Sequence, residues 1–325
     1  MFRFASLARA LVVAAIAVSF LAAPAARAEK IGIGLVGSIS STHWPIYIGL
    51  KKGYFAAEGI EPDLVFTQSN AALLQQLAAG SLDVALSAGL VDPLRAIDKG
   101  ASIAVVRLEM QVPPYALMAK PAIKSAKDLK GKVISIGGPK DITRIYVERI
   151  LTPNGVKPGD FDMVFAGATA ARFSALQSGA VDAAILLPPY NFYAESAGFN
   201  NLGLVLTYAP ELPFSSSVVN RAWANGHKAL LDKLLSVHTK SMQWFSDPKN
   251  RDEAIAIMVE ASKLKADDVA KSYDFLQKNQ IFEPTGTVSR KKMTALIGVL
   301  HELGDIQGSL DVDRFILSGI TKLSD

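Results

Sequence analysis

The sequence predicts an α/β protein of two related lobes, each a mainly parallel sheet flanked by helices. Short apolar runs typical of strands alternate with amphipathic helical segments from residue 31 to residue 219, as expected for right-handed βαβ units. An internal repeat is a second indication, because Gly80-Ser-Leu-Asp-Val-Ala85 matches Gly179-Ala-Val-Asp-Ala-Ala184 at an offset of 99 residues. This period is far too long for a solenoid, so two copies indicate two lobes.

The predicted elements follow this repeat in chain order. Pro45 suits the first turn of a helix, where its missing N–H costs nothing, and the run before it is a strand. We expect strands at 31–36, 64–66, 83–86, 101–107, 115–119, 202–206 and 215–219. Helical periodicity dominates the rest of the chain, over 228–245, 252–262, 266–279, 289–303 and 312–322.

Two crossings between the lobes are expected, near 108–114 and 210–214. They assign 29–112 plus 214–325 to lobe one and 113–213 to lobe two. The C-terminal helical run is then expected to back lobe one. A chain that crosses twice forms a cleft with a hinge, which can close on a ligand.

The first 28 residues have the features of an export signal. Arg3 and Arg9 form a basic start, residues 10–23 an apolar core, and Ala26-Arg27-Ala28 a small-x-small cleavage site. We expect cleavage after Ala28 and a periplasmic protein. The chain has no cysteine, which excludes disulfides, a lipid anchor on an N-terminal cysteine and thiol catalysis.

Charge and motifs narrow the function classes. Removal of the three arginines of the signal leaves 31 basic against 30 acidic residues, without a basic cluster, so we expect no nucleic-acid partner. The four histidines are far apart and fit no metal-binding spacing, and we expect neither a metal nor a cofactor. Gly32, Gly34 and Gly37 fit a dinucleotide pattern, but they fall largely within a predicted strand.

One stretch carries a family resemblance. Thr42-His43-Trp44-Pro45, followed by Ile48-Gly49, Gly53-Tyr54-Phe55 and Gly59-Ile60, resembles the beginning of substrate-binding proteins of nitrate/sulfonate/taurine-type ABC importers, in the thiamine-precursor-binding-like superfamily. Asp128-Leu-Lys-Gly-Lys132 is similar to a later turn of that family. The resemblance covers about residues 31–215. It implies the two-lobed type II periplasmic-binding-protein fold, a small-molecule ligand and an ABC permease as partner.

Candidate ligand-binding residues in lobe one lie where predicted strands end and helices begin. Ligands of open α/β sheets bind at such positions. His43 either donates to a ligand anion or fixes its own loop, and the pair Ser69 and Asn70 either caps a helix or binds ligand. The candidates in this lobe are Ser40, Ser41, Thr42, His43, Trp44, Gln68, Ser69, Asn70, Ser87 and Ala88.

In lobe two, Arg144 lies one turn into a helix that follows a Gly-rich loop. It is either a solvated surface charge or a bidentate partner of a carboxylate or sulfonate. Asp141 is predicted to cap that helix, and its charge would partly oppose an anion. The candidates here are Gly138, Thr143, Arg144, Thr169, Pro188 and Tyr190, joined by Phe214 at the second crossing.

These observations favour a monomeric solute-binding protein of an ABC importer over an enzyme. The expected solute is a small organic anion, a sulfonate or a carboxylate, and aromatic anions are among the candidates. Two alternatives stay open: an enzyme on the same fold that acts on a pyrimidine or similar metabolite, and a ligand-sensing subunit of a membrane receptor. Turnover of a bound solute would favour the enzyme, and binding without conversion would favour the carrier.

Overall fold

The computed structural model describes residues 28–325. The predicted signal peptide therefore lies outside the described residues, apart from Ala28 itself. Within 28–325, no helix combines the length and the apolar character needed to cross a bilayer.

Strands and helices alternate through the first two thirds of the described chain, and helices fill the remainder. The strands are β1 (Glu29–Val36), β2 (Ile60–Thr67), β3 (Val84–Gly89), β4 (Ile103–Met110), β5 (Ala116–Ala119), β6 (Val133–Ile136), β7 (Asp162–Phe165), β8 (Ala183–Leu186), β9 (Asn200–Leu204), β10 (Ser215–Asn220), β11 (Val288–Ser289) and β12 (Leu323–Ser324). The helices are α1 (Trp44–Lys51), α2 (Tyr54–Ala57), α3 (Asn70–Ala78), α4 (Val91–Asp98), α5 (Ile142–Leu151), α6 (Thr169–Gln177), α7 (Tyr190–Ser196), α8 (Val205–Tyr208), α9 (Arg221–Gly226), α10 (Lys228–Ser246), α11 (Arg251–Ser262), α12 (Ala266–Lys278) and α13 (Arg290–Glu302).

Ten of the twelve strands in the described chain form two five-stranded sheets of the same design, and β11 pairs with β12. Their orders are β2-β1-β3-β10-β4 and β7-β6-β8-β5-β9. In each sheet the fourth strand runs antiparallel to its neighbours. That strand is the first one after a crossing from the other lobe. The predicted α/β class with two mainly parallel sheets is confirmed, and we propose the crossings as lobe boundaries, 29–112 plus 214–325 and 113–213.

The repeat is visible in individual hydrogen bonds. Asp83 precedes β3, and its carboxylate accepts the backbone N–H of Gly32 at 2.8 Å. Asp182 precedes β8 and accepts the N–H of Val133 in the same way at 3.1 Å. Each carboxylate thus fixes the register between the central strand of its sheet and the neighbouring one. The matching Asp residues of the sequence repeat have matching structural roles.

Four of the five C-terminal helices lie within one or two residues of their predicted bounds, but the predicted helix at 312–322 is wrong. Only Val312–Arg314 form a single 3₁₀ turn. Beyond it the chain extends the edge of the first sheet, because the N–H of Val105 donates to the carbonyl of Phe315 at 2.9 Å and Leu317 donates back to Val105 at 3.2 Å. Phe315, Ile316 and Leu317 are all buried, and three consecutive residues cannot share one face of a helix.

Candidate functional site

A cavity of about 60 Å³ lies between the two sheets, at the carboxyl ends of β1, β3, β6 and β8. Both lobes contribute to its walls. Lobe one supplies Val36, Ser38, Ser40, Thr42, Ser69, Asn70, Ser87, Gly89 and Phe214, and lobe two supplies Tyr115, Gly137, Asp141, Gly167, Ala168, Thr169, Arg172 and Leu187. In open α/β sheets this is the usual position of a ligand.

The first wall is the hydroxyl-rich loop before α1. The hydroxyl groups of Ser40 and Thr42 are 3.2 Å apart, and the hydroxyl of Ser87 donates to the carbonyl of Thr42 at 2.8 Å. His43 is buried behind this loop, where its Nδ1 accepts the backbone N–H of Ser40 at 3.2 Å. Burial lowers the pKa of His43 to about 4, so the neutral imidazole is the form present near neutral pH. His43 therefore fixes the loop and does not face the cavity.

The start of α3 supplies a second group of polar atoms. Ser69 is the N-cap of this helix, and its Oγ accepts the N–H of Ala72 at 3.2 Å. Asn70 follows, and its side-chain oxygen accepts the N–H of Gly89 at 3.0 Å. A Cβ at Gly89 would lie 2.7 Å from the Asn70 amide, so only glycine permits this approach. The start of α3 is thereby tied to the end of β3, and both border the cavity.

In lobe two, the turn before α5 is closed by Asp141. Its carboxylate caps the helix by accepting the N–H of Thr143 at 2.9 Å, as the sequence predicts, and it also accepts the hydroxyl of Thr143. The same hydroxyl oxygen accepts the N–H of Gly137 at 2.9 Å. Thr143 thus supports the cavity wall from behind, while Asp141 and Gly137 reach its surface.

Arg172 is the basic group of the cavity. Its side chain is buried in the first turn of α6, where Nε donates to the carbonyl of Ile185 at 2.8 Å and Nη1 donates to the carbonyl of Gly167. The guanidinium lies over the ring of Tyr115, 5.8 Å from its centroid. These partners are neutral, and within 28–325 no carboxylate comes within 4.0 Å of the guanidinium. Arg172 and Asp141 flank Gly137, where a Cβ would lie 3.1 Å from Nη1 and 2.7 Å from a carboxylate oxygen of Asp141.

Two aromatic rings close the hinge side of the cavity. Tyr115 directly precedes β5 and Phe214 directly precedes β10, so each stands at the end of a crossing. Their rings meet edge to face with centroids 4.9 Å apart. Burial raises the pKa of Tyr115 and keeps its phenol neutral. The two crossings thus meet through these side chains.

The lobes touch each other at the rim opposite the hinge. The N–H of Ser41 donates to the carbonyl of Pro188 at 3.0 Å across the two lobes. A Cβ at Gly37 would lie 2.5 Å from the Cβ of Ala168, and one at Gly167 would lie 2.9 Å from the carbonyl oxygen of Gln68. The backbones are therefore in close contact, and the structure is a closed form.

Of the candidate ligand-binding residues predicted from the sequence, some lie on the surface of the cavity and others lie around it. Those on the surface are Ser40, Thr42, Ser69, Asn70, Ser87, Thr169 and Phe214. Gln68 and Tyr190 border an adjoining outer groove at the rim, which shares Ser38 and Ala168 with the cavity. Outside the cavity lining, in its supporting shell, are Ser41, His43, Ala88, Gly138, Thr143 and Pro188.

Two predicted residues lie elsewhere. Trp44 is fully buried in the core of lobe one, where its Nε1 donates to the carbonyl of Ala254 at 2.8 Å. As the first residue of α1 it points toward α11 and away from the cavity. Arg144 is 45 % exposed in its side chain and pairs with Glu148 one turn later at 2.9 Å, which is the surface-charge alternative of the sequence analysis.

The fold and the cavity together define the class of protein: a two-lobed α/β protein of the type II periplasmic-binding fold, with a small cavity between the lobes. The sequence model of the NMT1/THI5-like family matches residues 40–251, and the chain belongs to this family. No curated protein matches the sequence. The family resemblance and the fold class expected from the sequence are confirmed.

Several solved structures are similar to this chain over most of their length, which supports the assignment of the fold. The alkanesulfonate-binding protein SsuA from Xanthomonas axonopodis pv. citri, bound to MOPS, is 16% identical with a TM-score of 0.72, over 91% of this chain and 98% of that chain. The periplasmic nitrate-binding protein NrtA from Synechocystis PCC 6803 is 15% identical with a TM-score of 0.61, over 87% and 92%. The desulfurization enzyme DSZB is 14% identical with a TM-score of 0.65, over 88% and 97%.

Proposed function

We propose that this chain is the extracytoplasmic solute-binding component of an ABC importer and that it captures a small organic anion, a sulfonate or a carboxylate, between its lobes. The observation that carries the proposal is the buried guanidinium of Arg172, which borders the interlobe cavity and has only neutral hydrogen-bond partners within 28–325. A buried charge of this kind is stabilised by an anion that pairs with it.

The other wall complements this charge with neutral donors. Hydroxyl groups of Ser40, Thr42 and Ser69 face the cavity from lobe one, and that of Thr169 faces it from lobe two. An anion between the lobes would pair with Arg172 on one side and accept hydrogen bonds on the other. Asp141 is the one acidic side chain of the lining, and its capping bonds to Thr143 hold its carboxylate toward the start of α5.

The size of the cavity implies that the lobes move. Its volume is about 60 Å³, on a scale where a single water needs about 10–15 Å³, so the closed form holds only a few water molecules. A sulfonate or carboxylate head group fills such a space, and a larger solute requires a wider separation of the lobes. Binding would therefore begin in an open form, and the contacts of Ser41 and Gly37 across the rim would follow on closure.

The partner and the location belong to the same proposal. The printed names of SsuA and NrtA describe a sulfonate-binding and a periplasmic nitrate-binding protein, and the chain begins with a predicted export signal. We therefore propose a monomer in the periplasm that delivers its ligand to an ABC permease. A sensing role for a membrane receptor would use the same site and differs only in the partner.

An enzymatic role is the second candidate, because DSZB shares the fold. The lining of the interlobe cavity includes neither a histidine nor a cysteine, and the carboxylate of Asp141 is engaged with Thr143. These features favour binding without conversion. Recovery of a bound solute unchanged after long incubation supports the carrier, whereas a chemically altered product would support the enzyme.

The test is calorimetric titration of the exported protein with sulfonates, carboxylates, nitrate and neutral heterocycles. We expect an anion to bind, with a dissociation constant in the micromolar range, about −8 kcal/mol. Arg172→Met should weaken this binding by about 2 kcal/mol or more, while Arg144→Met, a matched loss of an exposed charge, should leave it unchanged. Tight binding of neutral heterocycles only would refute the anion assignment.

A further inference from the structure

A second cavity of about 300 Å³ lies in lobe one, outside the interlobe site, and shares no lining residue with it. It is bordered by β4, α10 and the C-terminal segment. Its floor is Arg107 on β4 together with Gly286, both buried. Its more exposed rim includes Thr285 and Lys322, and Thr239 stands on one wall.

The guanidinium of Arg107 has no counter-charge in contact with it. It is 1% exposed, and within the described chain no carboxylate approaches it within 4.0 Å. The nearby acids are engaged elsewhere: Glu109 accepts hydrogen bonds from Ser87 and Ser217, and Glu283 accepts from the segment that follows it. Both carboxylates still favour the charge of Arg107 electrostatically, but neither contacts it, so an anion from solution would add a direct partner.

The hydrogen bonds of Arg107 leave one edge of the guanidinium underused. Nη1 donates to Thr239 Oγ1 at 3.0 Å and to the carbonyl of Leu235 at 3.4 Å, and Nη2 donates to the sulfur of Met242 at 3.1 Å. Nε has no acceptor within 28–325. A guanidinium carries five N–H donors, and Nε and Nη2 share the edge that binds two oxygens of an oxyanion side by side.

Gly286 keeps this edge close to the cavity. A Cβ at this position would lie 2.9 Å from Cζ, 3.0 Å from Nη2 and 3.3 Å from Nε of Arg107. The backbone φ of +78° also favours glycine there. The absence of a side chain lets the backbone of Gly286 approach the guanidinium closely, and Lys322 lines the rim of the same cavity. Asp232 lies on the same rim, exposed to solvent, and moderates the positive charge of the site.

We propose that this cavity is a second anion-binding site, which takes a small oxyanion of the phosphate or carboxylate class between Arg107 and Lys322. The hydroxyl of Thr239 accepts from Arg107 and would donate its own proton to the same anion. The site is independent of the proposed transport ligand, because it lies wholly within lobe one and no residue of the interlobe cavity takes part in it. An anion bound there would stabilise the packing of α10 and the C-terminal segment on β4.

Inorganic phosphate is the probe, titrated by calorimetry into the exported protein in a chloride buffer of constant ionic strength. We expect Arg107→Met and Lys322→Ala each to weaken phosphate binding by about tenfold or more, because each removes a charged partner of the anion. Lys249→Ala removes an exposed charge outside the cavity and should bind phosphate as the wild type does. Arg172→Met should retain this binding, which separates the second site from the interlobe cavity.

The response of Arg107→Met to phosphate separates an anion site from a purely structural arginine. The melting temperature of the wild type should rise with phosphate and that of Arg107→Met should not, whatever the melting temperature of the variant in chloride buffer. A lower melting temperature combined with unaltered phosphate binding would overturn the proposal, as would a wild type that binds no phosphate. If Arg107→Met does not fold, Lys322→Ala replaces it as the test, because Lys322 is exposed and its loss leaves the core intact. Unaltered phosphate binding by Lys322→Ala would also overturn the proposal.

Discussion

Asp92 should make the stability of the closed protein depend on pH. Burial raises the pKa of its carboxyl to about 7, and the charge of Asp141 on the opposite lobe contributes in the same direction. The guanidinium of Arg95 lies 3.6 Å from the Asp92 carboxylate and partly offsets this rise in pKa. Arg95 also forms an ion pair with Asp305, and Asp305 forms a second ion pair with Lys140 of lobe two at 3.4 Å. Two lobe-one carboxylates therefore share one arginine, close to a third carboxylate across the cleft.

The sign and size follow from the pKa shift. The ordinary value for Asp92 is 3.8, so the folded, closed form holds a proton between about pH 4 and pH 7 that the unfolded chain releases. The protonated form thus contributes stability that is fully present below 3.8 and lost as the pH rises through 7. At about 1.4 kcal/mol for each pKa unit, the free energy of unfolding above pH 7 is lower than that below pH 3.8 by on the order of 4 kcal/mol from this group.

Asp92→Asn replaces the carboxyl by a neutral group of the same size and should remove this dependence. We expect the variant to exceed the wild type in free energy of unfolding at about pH 8, and to approach it at about pH 4. Urea denaturation at a series of pH values measures both. Asp162→Asn, at the exposed start of β7, is the control and should run parallel to the wild type. A constant difference between Asp92→Asn and the wild type over this range would refute the reasoning.

Three further substitutions test the cleft and the core. Gly37→Ala should weaken ligand binding, because its Cβ would clash with Ala168 when the lobes close. Gly53→Ala is the matched control, since Gly53 has a similar φ of +68° and open space around it. Calorimetric titration compares the ligand affinities of the two variants. Trp44→Phe should cost about 1–3 kcal/mol in urea denaturation through the lost bond to the Ala254 carbonyl, with ligand affinity unaltered; a weaker affinity would return Trp44 to the site. The pKa of His43 is lowered to about 4, so the stability contributed by its neutral form is fully present above pH 6.5 and is lost as the pH falls toward about 4. His43→Asn should therefore show a smaller fall in melting temperature on acidification than the wild type. An identical fall in the two proteins would contradict this.

The elements that the sequence predicts well are those with strong local signals. Strands such as β1 and β3 contain apolar runs, at 31–36 and 84–86, and the long helices repeat apolar residues at helical spacing. The expectation that ligands bind where strands end and helices begin also predicts Ser40, Ser69 and Thr169, which line the cavity. The segment 312–322 fails because its apolar residues complete the sheet edge at β4, a partner more than two hundred residues away that no local pattern reveals.

Side-chain direction is what the sequence does not provide. Trp44 and Thr42 are two residues apart, yet one lies in the core of lobe one and the other on the cavity. The turn that begins α1 separates them, and its exact geometry decides which side chain faces the second lobe. Arg144 shows the same limit, because one turn into α5 is the depth expected for a ligand contact, but its position on the helix faces solvent.

The internal repeat nevertheless carries a signal that identifies the basic group of the cavity. At the offset of 99 residues, Arg172 in α6 corresponds to Leu73 in α3, which is fully buried against its sheet. An arginine at a position that packs as core in the other half cannot reach bulk solvent, so it must be paired within the protein or by a ligand. The structure pairs it with two carbonyl groups and no carboxylate, which leaves the charge itself unmatched. The comparison does not by itself separate Arg172 from Arg144, because Arg144 corresponds to Pro45, which is also buried. Arg144 escapes the same constraint because its own helix leaves it 45 % exposed and paired with Glu148, so a ligand contact requires both a core-like position in the repeat and a guanidinium that no carboxylate contacts.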